Sequence, residues 1–132
     1  MELTSFNHGY GQNAQHFVFV PKYRYNIFSY EQIRVACYAI LIDIAKRYKF
    51  QIHELRVMQD HVHLFVELPP TISVSRAIQL FKGISSRVLF KAFPWITRWY
   101  KHRHFWSAGK FYRSVGNVTA ETIEHYIRES QG

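Results

Sequence analysis

The spacing of hydrophobic positions divides the chain into alternating strands and helices. Apolar residues recur every three or four positions from Glu31 to Tyr48 and from Ser73 to Phe93, which predicts two amphipathic helices. Shorter runs rich in β-branched and aromatic residues predict strands at Gln15–Pro21, Ile52–Met58 and Val62–Leu68.

The C-terminal part of the chain predicts one more strand and one more helix. Phe105–Val115 is expected to contain a fourth strand that is interrupted near Gly109. Gly116-Asn117 is expected to form a turn, and Thr119 is placed to cap a last helix that carries Tyr126.

The order of these elements, β-α-β-β-α-β-α, predicts an α+β fold. The first six elements match the split βαβ plan of ferredoxin-like sandwiches, a four-stranded antiparallel sheet with two helices on one face. The first and third strands would be central, and the seventh element would be a C-terminal helix carrying a tyrosine. With 132 residues, the chain is expected to form one domain, residues 1–132.

Two histidines lie two positions apart in the run Asp60-His61-Val62-His63-Leu64-Phe65-Val66. Since strand side chains alternate between faces, His61, His63 and Phe65 share one face and aliphatic residues share the other. The aliphatic face can pack against the helices, which leaves two imidazoles on the open face, where they can share a divalent metal. The same spacing also occurs on half-exposed strands that bind nothing.

Charge is distributed unevenly along the chain. The net charge is +8 and the isoelectric point is near 9.8. No Asp or Glu occurs from Leu68 to Ala120, whereas nine Lys and Arg residues fall in that interval. A cationic block of this size favours a nucleic-acid partner, and the alternative is a solvated basic surface.

Within that block, cations and aromatic rings interleave from Arg98 to Arg113, a pattern typical of proteins that hold single-stranded nucleic acid. The cations predicted to contact DNA are Lys82, Arg87, Arg98, Lys101, Arg103 and Lys110. The rings expected at the surface are Trp99, Tyr100 and Tyr112, whereas Phe105 and Phe111 are core candidates.

Other features limit the cellular setting. The N-terminal residues lack the basic and apolar segments of a secretory signal, and no apolar run approaches the roughly 20 residues of a membrane span. The single cysteine, Cys37, has apolar neighbours and is expected to be a buried thiol. We therefore expect a cytoplasmic protein with no membrane partner, associated with the nucleoid when it binds DNA.

The histidine pair and the basic, aromatic surface together favour chemistry on phosphate esters. A metal held by His61 and His63 needs at least one more ligand and would polarise a phosphoryl oxygen. A tyrosine can act as nucleophile when a metal or base offsets its pKa of about 10, and spacing alone does not choose among the candidates. Other enzymes with two histidines fit less well. Histidine-triad hydrolases need a third histidine where this chain has Phe65, and zinc proteases need histidines at helical spacing. Metal-dependent barrels need a chain of about 250 residues, and cupins need more strands.

The run Met58–Val66 resembles the HUH motif, in which a hydrophobic residue separates two histidines. Further stretches resemble one family in that superfamily, the single-tyrosine transposases of the insertion sequence 200/605 group. They are His16–Arg24, Phe81–Arg87, Phe105–Ser107, Gly116–Thr119 and Ile123–Ile127. The resemblance extends in order over nearly the whole chain.

The resemblance implies an enzyme that cuts and rejoins single-stranded DNA at the hairpin-marked ends of a mobile element. By position, Tyr126 would be the nucleophile that forms a 5′-phosphotyrosine, and His61 and His63 would bind Mg²⁺ or Mn²⁺. Family members are homodimers whose active sites pair the histidines of one subunit with the tyrosine helix of the other. Gly116 would then be the hinge of that helix.

One position departs from the family pattern. The family usually has a metal-binding glutamine four residues after the tyrosine, one helical turn on. Here position 130 is serine, and the glutamine is Gln131, five residues after Tyr126. A frayed last turn would bring Gln131 to the metal. Otherwise Ser130, Glu129 or water takes that place, or the enzyme is weakened.

Two other functions stay open. The protein can be another HUH nuclease, either a replication nickase or a domesticated relative that processes palindromes, with the same chemistry on different DNA. It can also be a non-catalytic single-strand nucleic-acid-binding module, because an open ferredoxin-like sheet also describes RNA-recognition domains. Those modules carry aromatic residues rather than a histidine pair on their central strands.

Overall fold

An antiparallel sheet and two helices make up the part of the chain that the structure, a computed structural model, describes: residues 13–109 and 111–115. The strands are β1 Ala14–Phe19, β2 Gln51–Val57, β3 Val62–Glu67 and β4 Phe111–Val115. The helices are α1 Glu31–Arg47 and α2 Val74–Ala92, with short 3₁₀ segments at Lys22–Arg24, Ile27–Ser29 and Pro94–Arg98.

The strands are arranged in the order β2-β3-β1-β4, and every neighbouring pair is antiparallel. This is the strand order of the split βαβ arrangement, with β1 and β3 at the centre. The predicted α+β class, the antiparallel pairing and the central position of β1 and β3 are therefore confirmed. The predicted C-terminal helix, with Tyr126, lies outside the described residues.

The core lies between the sheet and the two helices. Alternate residues of the central strands, such as Phe17 and Phe19 in β1 and Leu64 in β3, are buried on that face. The helices contribute Ile33, Leu41, Ile44, Ala77, Phe81 and Leu89. Cys37 is also fully buried there, as predicted, and burial raises the pKa of its thiol.

The ends of α2 follow from local chemistry. Ser73 caps its first turn, because its hydroxyl accepts a hydrogen bond from the backbone N–H of Arg76 at 3.0 Å. Pro94 follows the C-terminal residue Phe93 and cannot continue the helix. In the described part of the chain, no helix combines the length and apolar content needed to cross a bilayer.

The segment from Pro94 to Gly109 folds back along the end of β1. The backbone N–H of Lys22 donates to the carbonyl of Phe105 at 2.8 Å, and Trp106 pairs with Pro21 in an isolated β-bridge. Phe105 is fully buried, as expected. The β4 strand then begins at Phe111, so the predicted interruption near Gly109 is also observed.

The surface position expected for Tyr100 is wrong. Its side chain is only 1% exposed and packs against Phe90 and Phe105, because the 3₁₀ turn of Pro94–Arg98 directs it toward the core. Trp99 is half-buried, and Tyr112 is exposed as expected.

Phe81→Ala tests the core between the helices and the sheet. Phe81 is fully buried against Phe17, Phe19 and Phe50, so its truncation is expected to lower the free energy of unfolding by about 3–5 kcal/mol. Urea denaturation followed by circular dichroism measures this loss. Val35→Ala, on the exposed side of α1, should change stability by less than about 0.5 kcal/mol. Similar losses in the two variants would contradict this packing.

Candidate active site

His61 and His63 bring their ring Nε2 atoms to within 2.9 Å of each other. His63 is the second residue of β3, and His61 directly precedes the strand. The two rings are nearly perpendicular, at 86°, with centroids 4.6 Å apart. The prediction that the two imidazoles share a face is confirmed, and the aliphatic neighbours Val62 and Leu64 lie in the core on the opposite face.

A carboxylate fixes the orientation of the His61 ring. The Nδ1–H of His61 donates to Asp60 Oδ1 at 2.7 Å, and Arg24 Nε donates to Asp60 Oδ2 at 2.9 Å. The hydrogen bond from His61 is the largest cause of the lowered pKa of Asp60. Burial acts in the opposite direction, and Arg24 lowers the pKa further. Because Asp60 is then an acceptor only, the proton of a neutral His61 resides on Nδ1, and the lone pair on Nε2 faces His63 Nε2.

A third histidine contacts the pair from β1. His63 Nδ1 lies 3.3 Å from His16 Nε2, and the planes of the two rings differ by only 7°. Both side chains are buried. Either ring can donate in this contact. When His63 Nδ1 is the donor, the lone pair of His63 resides on Nε2, opposite that of His61. In that arrangement, Asp60 and His16 hold the two rings with both Nε2 lone pairs directed at one point.

The protonation state of His63 suits a metal ligand. Burial, followed by the electrostatic effects of the nearby His61 and Arg56, lowers the pKa of His63 to about 4. Arg56 is the cross-strand partner of His63 in β2 and so lies on the same face of the sheet. At neutral pH, His63 is uncharged and its lone pair is available for coordination.

The spacing of the two nitrogens fits one divalent cation. Two nitrogens bound at about 2.1 Å and at about 90° to each other lie about 3.0 Å apart, close to the observed separation. Within residues 13–109 and 111–115, no group of three or more His, Cys, Asp or Glu residues could hold a metal ion. The remaining ligands must come from substrate, water or other residues. Gln131 and Tyr126 lie outside the described residues, so their roles stay predictions.

A basic groove runs beside α2. It has a volume of about 1040 Å³ and lies between the helix and the Arg103–Ala108 segment. Its positive charges come from Lys22, Arg76, Lys82, Arg87 and Arg103. Phe90, Phe105 and Trp106 supply apolar surface, and none of the described residues that line the groove is acidic. This combination suits a phosphate backbone with exposed bases.

The cations predicted to contact DNA divide between this groove and a smaller cavity. Arg87 and Arg103 line the groove, whereas Arg98 and Lys101 line the smaller cavity, described below. Lys82 also lines the groove, but its ammonium donates to the carbonyls of Ser107 and Gly109 at 2.9 and 2.8 Å. Lys110 lies outside the described residues. The DNA contacts of all six stay predictions.

Sequence reasoning missed four residues around the histidine pair: Arg24, Arg56, Asp60 and His16. The antiparallel register is the signal that could have found His16. His16 pairs with Phe65 and Val18 pairs with His63, so His16 is a diagonal neighbour of His63 on the same face. The period-two alternation within one strand does not contain that information.

Substituting His16 tests whether it positions His63. His16→Phe keeps a ring but removes the acceptor for His63 Nδ1, so affinity for Mn²⁺ is expected to fall about 10- to 100-fold in calorimetric titration. His16→Gln restores an acceptor and should recover much of the loss. His53→Phe is the control, because His53 hydrogen-bonds Glu67 and packs against the ring of Phe65. Equal Mn²⁺ affinity in His16→Phe and the control would contradict the positioning role.

Comparison with known proteins gives the chain a family. Residues 10–130 match the family described as "Transposase IS200 like". The chain is 37% identical over 113 residues to the transposase for insertion sequence element IS200 of Salmonella typhimurium, covering 86% of this chain and 73% of the relative. It is 29% identical over 120 residues to the ISDra2 transposase TnpA of Deinococcus radiodurans, covering 91% of this chain and 84% of the relative.

Two solved structures share the fold. One, from Deinococcus radiodurans and solved as a candidate transposase, has a TM-score of 0.74 at 24% identity and covers 96% of this chain and 97% of its own. The other, a REP-associated tyrosine transposase bound to a REP hairpin, has a TM-score of 0.56 at 15% identity and covers 95% of this chain and 68% of its own. The family match confirms the resemblance found in the sequence: this chain belongs to the IS200-like transposase family.

Proposed function

We propose that the protein cleaves and rejoins single-stranded DNA at the hairpin-marked ends of a mobile element through a 5′-phosphotyrosine intermediate. The observation that carries the proposal is the pair of imidazole Nε2 atoms 2.9 Å apart, in a chain that belongs to the IS200-like transposase family. The orientation of both rings by Asp60 and His16 adds support, because an incidental histidine pair would not need such partners.

The proposed nucleophile is the phenolic oxygen of Tyr126. It attacks the scissile phosphorus, a tyrosine–phosphate bond forms, and the bond to the 3′-oxygen breaks. The phenol loses its proton, and the departing 3′-oxygen gains one. Attack by another 3′-hydroxyl reverses these steps and joins two strands. The number of phosphate ester bonds is conserved, so the joining reaction needs no ATP.

The described residues around the pair prepare the site for an anionic phosphate. A divalent cation, Mg²⁺ or Mn²⁺, held by the Nε2 atoms of His61 and His63 would polarise an oxygen of the scissile phosphate. Asp60 and His16 contact the Nδ1 atoms of the two rings and would hold them in the tautomers that metal binding requires. Arg56 adds a positive charge on the same face, which favours the approach of DNA.

We further propose that hairpin DNA lies along the basic groove, where Arg76, Arg87 and Arg103 neutralise its phosphates. The REP-associated transposase of the same fold was solved with a hairpin, which supports this class of partner. We propose a homodimer in which each active site combines histidines from one subunit with Tyr126 from the other. The reaction would take place on nucleoid DNA in the cytoplasm.

A domesticated relative that processes repeated palindromes is the second candidate, favoured by the structural likeness to the REP-associated transposase. The chemistry would be the same, and only the DNA would differ. Hairpin-forming sequences that flank the gene as element ends would favour the mobile element. Hairpins scattered through the genome and bound by the protein would favour the domesticated relative.

Tyr126→Phe is expected to abolish the covalent protein–DNA product. Labelled single-stranded DNA from the gene's flanks is incubated with protein and Mn²⁺, then separated on a denaturing gel. A 5′-phosphotyrosine retains the 3′ part of the DNA, so a 3′-end label should move with the protein and a 5′-end label should not. Tyr38→Phe, at an exposed position of α1, should behave like the wild type. An adduct that persists in Tyr126→Phe would exclude this nucleophile.

Gln131→Ala is expected to weaken metal-dependent cleavage but leave hairpin binding intact, because the side chain is proposed to complete the metal site without contacting the hairpin. Cleavage is measured across a Mn²⁺ titration, and binding is measured by gel shift in the presence of a chelator. Ser130→Ala, at the adjacent position, is the matched control. Equal cleavage by Gln131→Ala and the wild type would remove Gln131 from the site.

A further inference from the structure

A second cavity, of about 300 Å³, lies between the Lys22–Tyr25 turn and the segment from Arg98 to His104. Its walls and rim include Tyr25, Trp99, Tyr100, Lys22, Arg98 and Lys101. Every described residue that lines it is cationic, aromatic or a histidine. The volume is at the lower end of the range of about 300–1,000 Å³ found for ligand pockets. The cavity therefore suits one planar, electron-rich group attached to an anion.

The hydroxyl of Tyr100 gives independent evidence for a ligand. The side chain is 1% exposed, and its hydroxyl is the only buried side-chain polar atom in the described part of the chain that has no hydrogen-bond partner. Burial, followed by the nearby Tyr25, raises the pKa of Tyr100, so the hydroxyl keeps its proton and can donate. Buried polar groups rarely go unpaired. A ligand with polar atoms on its edge would supply the missing partner.

The rings of this cavity have faces available for stacking. The ring of Tyr25 lies 5.6 Å from that of Tyr100 and 5.4 Å from that of Tyr23, and the tyrosines of the turn remain partly exposed. The guanidinium of Arg98 lies over the ring of Trp99 at 5.7 Å, which keeps a positive charge beside the aromatic wall. Aromatic faces next to cations bind bases and phosphates of single strands.

The same turn connects the cavity to the histidine pair. Tyr23 and Arg24 both have left-handed backbone conformations, with φ of 64° and 53°. Arg24 lies between Tyr23 and Tyr25 in the sequence. Its side chain donates a hydrogen bond to Asp60, which accepts another from His61. A group bound between Tyr25 and Tyr100 would therefore lie beside the chain of contacts that orients the metal ligand.

We propose that this cavity binds one unpaired base of single-stranded DNA, stacked on Tyr25 and hydrogen-bonded to the Tyr100 hydroxyl, with its phosphates on Lys22, Arg98 and Lys101. The inference rests on the proposed function, because that function makes single-stranded DNA the substrate. It adds a site that recognises one base of the DNA strand, next to the groove beside α2, with which it shares Lys22.

The test compares DNA with and without bases. Fluorescence anisotropy measures binding of the full chain to single strands of about 15 nucleotides and to abasic strands of equal length. Tyr25→Leu should weaken binding to the base-containing strand about tenfold, because a stacking face is lost, and should leave abasic binding unchanged. Tyr100→Phe keeps the ring and should weaken base-containing binding about two- to tenfold. Tyr38→Leu, an exposed tyrosine outside the cavity, is the matched control and should change neither.

A second measurement locates the base directly. A strand that contains 5-iodouracil is photo-crosslinked to the protein, and mass spectrometry maps the modified peptides. Crosslinks at Tyr25 or Trp99 are expected, and crosslinks confined to other regions would overturn the proposal.

The outcomes separate this inference from the proposed function. If both cavity variants bind both strands like the wild type while the wild type forms the Tyr126 adduct, the base pocket is rejected and the proposed function stands. Equal loss of binding to base-containing and abasic strands would also reject the pocket, because it would show a phosphate contact or a folding defect. If the wild type neither binds single strands nor forms an adduct, both proposals fail.

Discussion

The antiparallel pairing of β1 with β3 is the constraint on which the histidine site depends. It places His16 diagonally across from His63, and it buries the alternate residues of both strands under the helices. A slip of one residue would exchange the two faces of the shifted strand. Phe17 would then replace His16 beside His63, and a polar ring would enter the core. The hydrophobic core and the contact between His16 and His63 therefore depend on the same register.

The sequence predicted the parts of this arrangement that depend on local periodicity. Alternation within one strand was enough to place His61 and His63 on a common face, and helical spacing was enough to place α1 and α2 within a few residues. The partners of the two imidazoles were not predictable in this way. His16 is 47 residues from His63 in the sequence, and Arg24 is 36 residues from Asp60. Such contacts follow only from tertiary pairing.

The aromatic residues from Arg98 to Arg113 also could not all be placed from the sequence alone. Their composition indicated a surface that stacks bases, and Phe105 is in the core as expected, yet Tyr100 is buried as well. A 3₁₀ turn at Pro94–Arg98 decides which rings turn inward, and its short length leaves no periodic pattern to read. Composition shows that the segment is rich in cations and aromatic rings, but only the backbone path separates the rings that pack in the core from the rings that remain accessible.

The contacts of the Lys82 ammonium affect how DNA binding by variants of the basic residues is interpreted. It donates hydrogen bonds to the carbonyls of Ser107 and Gly109 and lies 5.9 Å from the centroid of the Phe19 ring. Lys82 therefore connects the Ser107–Gly109 wall of the groove to α2 and to β1. Neutralising this lysine would release that wall as well as remove a charge. Weaker DNA binding in such a variant would therefore report on the shape of the groove, whereas the same result at Arg87, on the exposed side of α2, would report on charge alone.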